Sequence, residues 1–299
     1  MAEASKTPQT QTVAKQNPVP APAEPRKTGK ALYFLGGLPR SGSTLIANVL
    51  WQNPRVHVTA TSGLLSLLLG IRNHWERMQE VKAMPKDEAE ATKLRVLRGS
   101  IVAYFANVDR PVVVDKGRGW IGQIPFIEAV LNRKVKIIVP VRDVRDILAS
   151  FEKITSKNPL KPSSQELGNP QAWETIDGRC SIWFHQNQPV GAPYRKMKDA
   201  LLKGHGDRMH FVDYDDFTAH PDRMMRQIYD FLEEPYYAHD FKNVQQVTTE
   251  DDDVWRMPGL HDIRCEVKPQ PPQWPTILPP DVAKKYPGKE LWKKLVKKH

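Results

Sequence analysis

Two groups of residues in this chain have the types and spacing to grip a phosphorylated ligand. The first is Gly37-Leu-Pro-Arg-Ser-Gly42-Ser43-Thr44. It has the spacing of a phosphate-binding P-loop, G-x-x-x-x-G-K-[ST], with Ser43 where the lysine stands. Such a loop turns successive backbone N–H groups toward one point, and the helix that follows adds the positive end of its dipole. The usual lysine reaches the outer phosphates of a nucleoside triphosphate. Here the cation is Arg40, whose planar fork suits an oxyanion. The loop therefore predicts a phosphate-bearing ligand that is not an ordinary triphosphate. The plain alternative is a Gly/Ser turn between a strand and a helix. The second group is Arg142-Asp-Val-Arg-Asp-Ile-Leu-Ala-Ser150. An arginine at the carboxyl end of a buried strand and a hydroxyl two turns into the next helix can hold a second phosphate, well removed from the first. The alternative there is an exposed Arg–Asp pair at a helix start.

Both groups need strands and helices to place them. Ala31–Leu35 reads as a short buried strand, and Ser43 opens a helix with Leu45, Ile46, Val49 and Leu50 at helical spacing. Pro54–Thr59 predicts a second strand. Ser62 would cap a helix through Leu64 and Ile71, continuing toward Val81, and Glu88–Asn107 a long helix. Val112–Asp115 and Val135–Val141 are β-branched strands on either side of a helix over 121–132. Asp143 and Asp146 have N-cap and N3 spacing for a helix through Ile154. Asn158–Pro170 reads as an irregular loop, a lid or acceptor-site wall. Helices over 173–185 and 190–203, a strand Met209–Tyr214 and a helix Pro221–Glu233 follow. Pro269–Pro280 is too proline-rich for helix or central strand. Alternating strands and helices predict an α/β fold, a P-loop-like three-layer α/β/α sandwich with a central parallel sheet.

A chain of 299 residues with formal charge +10 divides, on composition, into three parts. Met1 to Lys30 has almost no large apolar side chain and is expected to be disordered; it also lacks the apolar core of a signal peptide. Residues 31–250 form the α/β domain, and 251–299 a C-terminal extension near the ligand site. No apolar stretch approaches a membrane span. The two cysteines, Cys180 and Cys265, lie outside metal or redox spacing and predict free thiols in a reducing, cytoplasmic compartment. Lysines at 284, 285, 289, 293, 294, 297 and 298 make a basic tail, which reads as a solvated helix, and the positive balance favours an anionic ligand.

Leu38-Pro-Arg-Ser-Gly-Ser-Thr-Leu45 resembles the 5′-phosphosulfate loop of sulfotransferases that use 3′-phosphoadenylyl sulfate (PAPS). Val141-Arg142-Asp143 with Ser150 is similar to their 3′-phosphate-binding strand and helix. His210-Phe-Val-Asp-Tyr214 to Pro221 resembles a late strand of the same family. The three motifs stand in the family's order, and the resemblance covers Lys30 to Phe241. The branch with P-R-S-G-[ST]-T, which includes the protein-tyrosine sulfotransferases, is the nearest in pattern. The resemblance implies that Arg40 and Ser41, Gly42, Ser43 and Thr44 bind the 5′-phosphosulfate, Arg142 and Ser150 the 3′-phosphate, with Tyr214 approaching the nucleotide. Lys116 would contact the oxygen bridging phosphate and sulfonate, where a cation stabilises the charge that builds in the transition state. Lys268 resembles a late lysine that reaches the nucleotide.

The implied reaction is sulfonate transfer from PAPS to a hydroxyl, or an amine, releasing adenosine 3′,5′-bisphosphate (PAP), with no metal required. One departure stands out. Tyrosine sulfotransferases carry a glutamate pair after the second strand, whereas this chain has Thr59-Ala-Thr-Ser62, none of which is a carboxylate. His261 is the first candidate for the base and Asp115 the second. Two other classes fit parts of the pattern. One is a P-loop nucleotide kinase or NTPase with Val112–Asp115 as a Walker-B-like strand; the other is a non-enzymatic anion- or nucleic-acid-binding module using the basic tail. The missing P-loop lysine disfavours the first. The lack of strand-end aromatics for base stacking disfavours the second, so no nucleic acid is expected. The acceptor, whether glycan, lipid, small metabolite or peptide, is not legible in the chain.

Overall fold

Four of the five strands of this chain carry apolar side chains on both faces, and the structure uses both. Leu32 and Phe34 of β1 (Ala31–Leu35) face one core, while Tyr33 and Leu35 face another. Val113 opposes Val112 and Val114 in the same way on β3 (Val112–Lys116). A sheet with two buried faces must be covered twice, which is the condition for an all-parallel sheet. The computed structural model describes residues 29–296, except 158 and 161. The disorder expected for Met1 to Lys30 lies almost wholly outside the described residues.

The sheet has five strands in the order β2-β3-β1-β4-β5, with every pairing parallel. The remaining strands are β2 (Val56–Val58), β4 (Ile137–Val141) and β5 (Met209–Asp213). One layer contains α1 (Ser43–Trp51) and the helix Pro221–Leu232, both in the core that includes Leu35, Ile138 and Val212. The opposite layer contains Leu64–Trp75, Lys86–Tyr104, Ile124–Leu131, Val144–Lys157, Ile176–Phe184 and Gly191–Leu202. This is the three-layer α/β/α sandwich the pattern predicts. The chain leaves β1 for one side of the sheet and crosses to the other before β4. A crevice therefore opens at the carboxyl ends of β1 and β4, where open α/β sheets bind ligands.

Several expectations need correction. The helix from Leu64 stops at Trp75, and Gln79–Lys82 is a separate turn; although Trp75, Met78 and Val81 keep helical spacing, the backbone is extended at Met78 and breaks the helix there. The segment 158–170 is not wholly irregular, because Ser163 accepts a bond from the Glu166 amide at 3.1 Å and starts a short helix, Ser164–Gly168. Asp143 does cap its helix, accepting from the Arg145 amide at 2.9 Å. Asp146, however, does not turn back to complete a capping box: it accepts the Gln273 and Trp274 amides at 2.7 and 3.1 Å. The proline-rich stretch 269–280 contains the single-turn helix Trp274–Ile277 and meets another, Pro280–Ala283, since proline suits the first helical positions. The basic tail is not a freely solvated helix. Trp292 is fully buried in the main core, and Lys289 bridges Asp213 and Asp215 at 2.9 and 2.6 Å, tying the helix Glu290–Val296 beside β5.

Candidate active site

The loop after β1 is held hard against β4. The Leu38 amide and the Ser41 hydroxyl both donate to the Pro140 carbonyl, each at 3.0 Å. Gly37 sits at φ +96°, and a Cβ there would lie 2.3 Å from that carbonyl oxygen, so only glycine allows the approach. Gly42, at φ +87°, packs against the Tyr214 ring, which a Cβ would meet at 2.8 Å. The first intrahelical bond runs from the Ile46 amide to the Gly42 carbonyl. The earlier amides of α1 have no helical partner, and Gly42, Ser43 and Thr44 line a cavity of about 470 Å³. Arg40 is itself left-handed, at φ +55°, a conformation that costs a non-glycine residue about 1 kcal/mol.

One end of this cavity is built around two guanidinium groups. Arg40 Nε donates to Ser150 Oγ at 3.0 Å, and its Nη1 bonds the Leu260 carbonyl. Groups that sequence reasoning assigns to two different phosphates are thus hydrogen-bonded to each other. Arg142 is buried, lies over the Tyr214 ring at 4.5 Å, and has Asp146 4.0 Å from its Nε, which makes no hydrogen bond among the described residues. Burial, and then the charge of Arg142, pull Arg40 below the ordinary guanidinium range. Two buried guanidinium groups that repel each other are an arrangement an anion would stabilise.

Lys116 stands elsewhere on the same cavity. It is the last residue of β3, and its amide donates to Thr59 Oγ1 at 2.7 Å. Its ammonium donates to Thr44 Oγ1 at 3.3 Å and to Glu250 Oε1 at 2.9 Å. Burial pulls Lys116 below its usual range against the hold of Glu250. Glu250 belongs to the segment after the last long helix, and its side chain is buried. Burial pushes its carboxyl up, but the Thr61 hydroxyl, Lys116 and His261 outweigh that and hold it below the usual carboxylate range. His261 lines the cavity between two acids, with Nδ1 2.5 Å from Asp252 and Nε2 3.4 Å from Glu250. Both ring nitrogens are therefore engaged. Lys268 also lines the cavity, half-exposed and paired with Glu266 at 2.6 Å.

Asp115, the other candidate base and the acid a Walker-B reading needs, is sealed at 0% exposure and accepts from Trp120 Nε1 at 2.8 Å. Burial pushes its carboxyl up to about 6, against the pull of Ser62, Trp120 and Thr59. It serves the packing of this strand end. Sequence reasoning missed Glu250 and Asp252 altogether. Within Thr-Thr-Glu-Asp-Asp-Asp253 they read as a solvated acidic run, and only the chain path brings them onto Lys116 and His261.

A glycine-bearing loop at the switch point of a parallel sheet, with cationic side chains at the adjacent strand ends, defines a P-loop-like α/β fold. Residues 33–238 match the model of the sulfotransferase family, so the chain belongs to that family. The match falls within the span where the motifs resemble it, Lys30 to Phe241. The chain is 24% identical over 211 residues to the protein-tyrosine sulfotransferase of Drosophila melanogaster, an alignment covering 69% of this chain and 38% of that protein. It is 26% identical over 211 residues to protein-tyrosine sulfotransferase 1 of Danio rerio, covering 69% of this chain and 54% of that protein. The chain thus matches only part of the length of these curated relatives. The sulfotransferase domain from the curacin biosynthetic pathway shares the fold, with a TM-score of 0.51 and 16% identity over 90% of this chain and 98% of that one. No helix among the described residues is long and apolar enough to cross a membrane.

Proposed function

We propose that this protein moves a sulfonate group from PAPS to a hydroxyl, or an amine, and releases PAP. The observation that carries this reading is one cavity lined at separate points by Arg40, Arg142 and Ser150, by the loop Gly42–Thr44, and by Lys116. The buried Arg142 Nε without a hydrogen-bond partner fits an anion supplied by a ligand. The two arginines suit a 3′-phosphate, and the loop amides with Lys116 suit a 5′-phosphosulfate. The donor supplies an activated sulfonate on a phosphate leaving group. Lys116 and the loop amides neutralise the charge that grows on that phosphate, which lowers the barrier more than it aids binding. Tyr214 and Gly42 shape the wall between the subsites, and Lys268 reaches the cavity rim.

Calorimetry with PAP tests the reading. Saturable binding is expected, abolished or weakened by loss of either cationic group. Absence of binding at high micromolar PAP, in protein shown to be folded, refutes it. Radiolabelled PAPS incubated with extracts then reports the acceptor, across peptide, glycan, lipid and small-molecule fractions. The names of the curated relatives make tyrosyl peptides one class to include. Two unpaired thiols, one buried at Cys180 and one exposed at Cys265, support a reducing, cytoplasmic setting.

A further inference from the structure

The loop over 244–252 is fastened to α1 by one buried amide. Asn48, in the middle of α1, accepts from the Val247 and Thr248 amides at 2.5 and 3.0 Å and donates to Thr248 Oγ1 at 2.8 Å. Its Nδ2 also donates to the Thr44 carbonyl at 2.8 Å. Asn48 is only 1% exposed, so these bonds are made without competition from water. Two residues further on, Glu250 is delivered onto Lys116, beside Thr61 and His261. His261 is in turn fixed by Asp252, which takes both its ring Nδ1 and its backbone amide. A carboxylate braced this fully by residues on several segments is a positioned group.

We propose that Glu250 is the base that receives the acceptor's proton, a role that no carboxylate in Thr59–Ser62 can fill. The proposal rests on the sulfotransferase reading. Lys116 marks the oxygen that joins the phosphate to the sulfonate, so a carboxylate oxygen 2.9 Å from its ammonium lies at the reacting end of the donor. The balance is simple. The acceptor O–H breaks and its proton passes to a Glu250 oxygen, while the acceptor oxygen forms a bond to sulfur. The bond from sulfur to the bridging oxygen breaks, and its electron pair stays on the phosphate of PAP. His261, held by Asp252, acts as a positioning residue that aims the carboxylate.

Glu250→Gln is the test, measured with the acceptor fraction that the wild-type protein labels from radiolabelled PAPS. A positioned base contributes about 100- to 10,000-fold, so kcat falls by at least about 100-fold. The Kd for PAP by calorimetry stays within about threefold or tightens, because a negative neighbour has been removed. The pH profile supplies a reading that a structural role would not move. Wild-type kcat falls at acid pH as Glu250 takes up a proton, with Lys116, Arg118, His261 and Asp252 as the charged groups around it; the Gln variant lacks that limb. If the Gln variant fails to fold, Glu250→Asp is judged by the same split of kcat from Kd. A kcat within about threefold of wild type, or equal losses in kcat and in PAP affinity, overturns the proposal while leaving the sulfotransferase reading in place. Wild-type protein that does not bind PAP overturns the sulfotransferase reading itself.

Discussion

Replacing Arg142 with methionine tests the proposed 3′-phosphate subsite separately from the rest of the pocket. Methionine keeps an unbranched apolar chain over the Tyr214 ring, where the guanidinium now lies at 4.5 Å, and removes only the charge and the donors. The native side chain is 8% exposed, with Asp146 at 4.0 Å, so screening by water is slight. A hydrogen bond to a charged group is worth about 1.5–3 kcal/mol. At about 1.4 kcal/mol per decade that is a loss of about 10- to 150-fold in PAP affinity. Adenosine 5′-phosphate, which has no 3′-phosphate, should lose no more than about twofold. The assay is titration calorimetry of both nucleotides against wild type and Arg142→Met at fixed salt. In the ligand-free protein the substitution relieves repulsion on Arg40 but also leaves the buried Asp146 without its neighbouring cation, so the two effects on stability oppose each other. Equal losses for the two nucleotides would show that Arg142 does not read the 3′-phosphate, and no loss for PAP would remove the second phosphate from the site.

Lys116→Ala should lower turnover by about 100- to 1,000-fold while PAP affinity changes by less than about tenfold; the reverse pattern in single-turnover and binding measurements refutes its placement at the leaving group. The same variant leaves Glu250 buried without its cation, so thermal melting should show a loss of stability as well. Trp292→Ala, by emptying a fully buried site in the main core, should cost about 3–5 kcal/mol in denaturant unfolding; a change under about 1 kcal/mol would mean the tail is dispensable. His239, ringed by Tyr229, Tyr236, Tyr237 and Phe241, is pulled by burial from 6.5 to about 4. The folded state resists protonating it, so its contribution is whole above about pH 7 and is lost as pH falls from 6.5 through 4, by at most about 3 kcal/mol. Asp115, pushed up to about 6 from 3.8, acts in the opposite sense over an overlapping range. The check is therefore the difference between wild type and His239→Phe. Identical pH dependence in the two proteins refutes the assignment.

β1, β3 and β4 were legible because each is short, rich in β-branched or aromatic side chains and apolar on both faces; β2 and β5 were read from alternation around His57 and His210. The loop was legible because its glycines are forced. Gly37 and Gly42 sit at positive φ against Pro140 and Tyr214, and such constraints leave a fixed spacing in the sequence. Arg142 and Ser150 could be read because one strand and one helix place both. Trp292 could not, since seven lysines dominate the composition around it and a single buried indole has no periodicity. Asp146 was misread for a related reason. Its spacing matches a capping box, but the competing amides of Gln273 and Trp274 come from more than a hundred residues away, and no local pattern announces them.

The acidic side of the site illustrates the same division more sharply. Arg40, Lys116 and Arg142 lie on a regular element or on the loop that joins two of them, so loop spacing and strand-end position predict them, whereas Lys268 lies on irregular chain. Glu250 lies on irregular chain just before the single helical turn Asp252–Trp255, and two residues after a segment held by Asn48, a polar residue in an otherwise apolar stretch of α1. Burying an amide there is costly unless its donors and acceptor are satisfied; the Val247 and Thr248 amides satisfy its oxygen, and the Thr248 hydroxyl and the Thr44 carbonyl its nitrogen. The helix that begins at the glycine-bearing loop therefore also fastens the segment that carries Glu250. Through Thr44, which the Lys116 ammonium reaches at 3.3 Å, and through Asn48, α1 touches the surroundings of both members of the Lys116–Glu250 pair, so a shift of α1 would disturb both together.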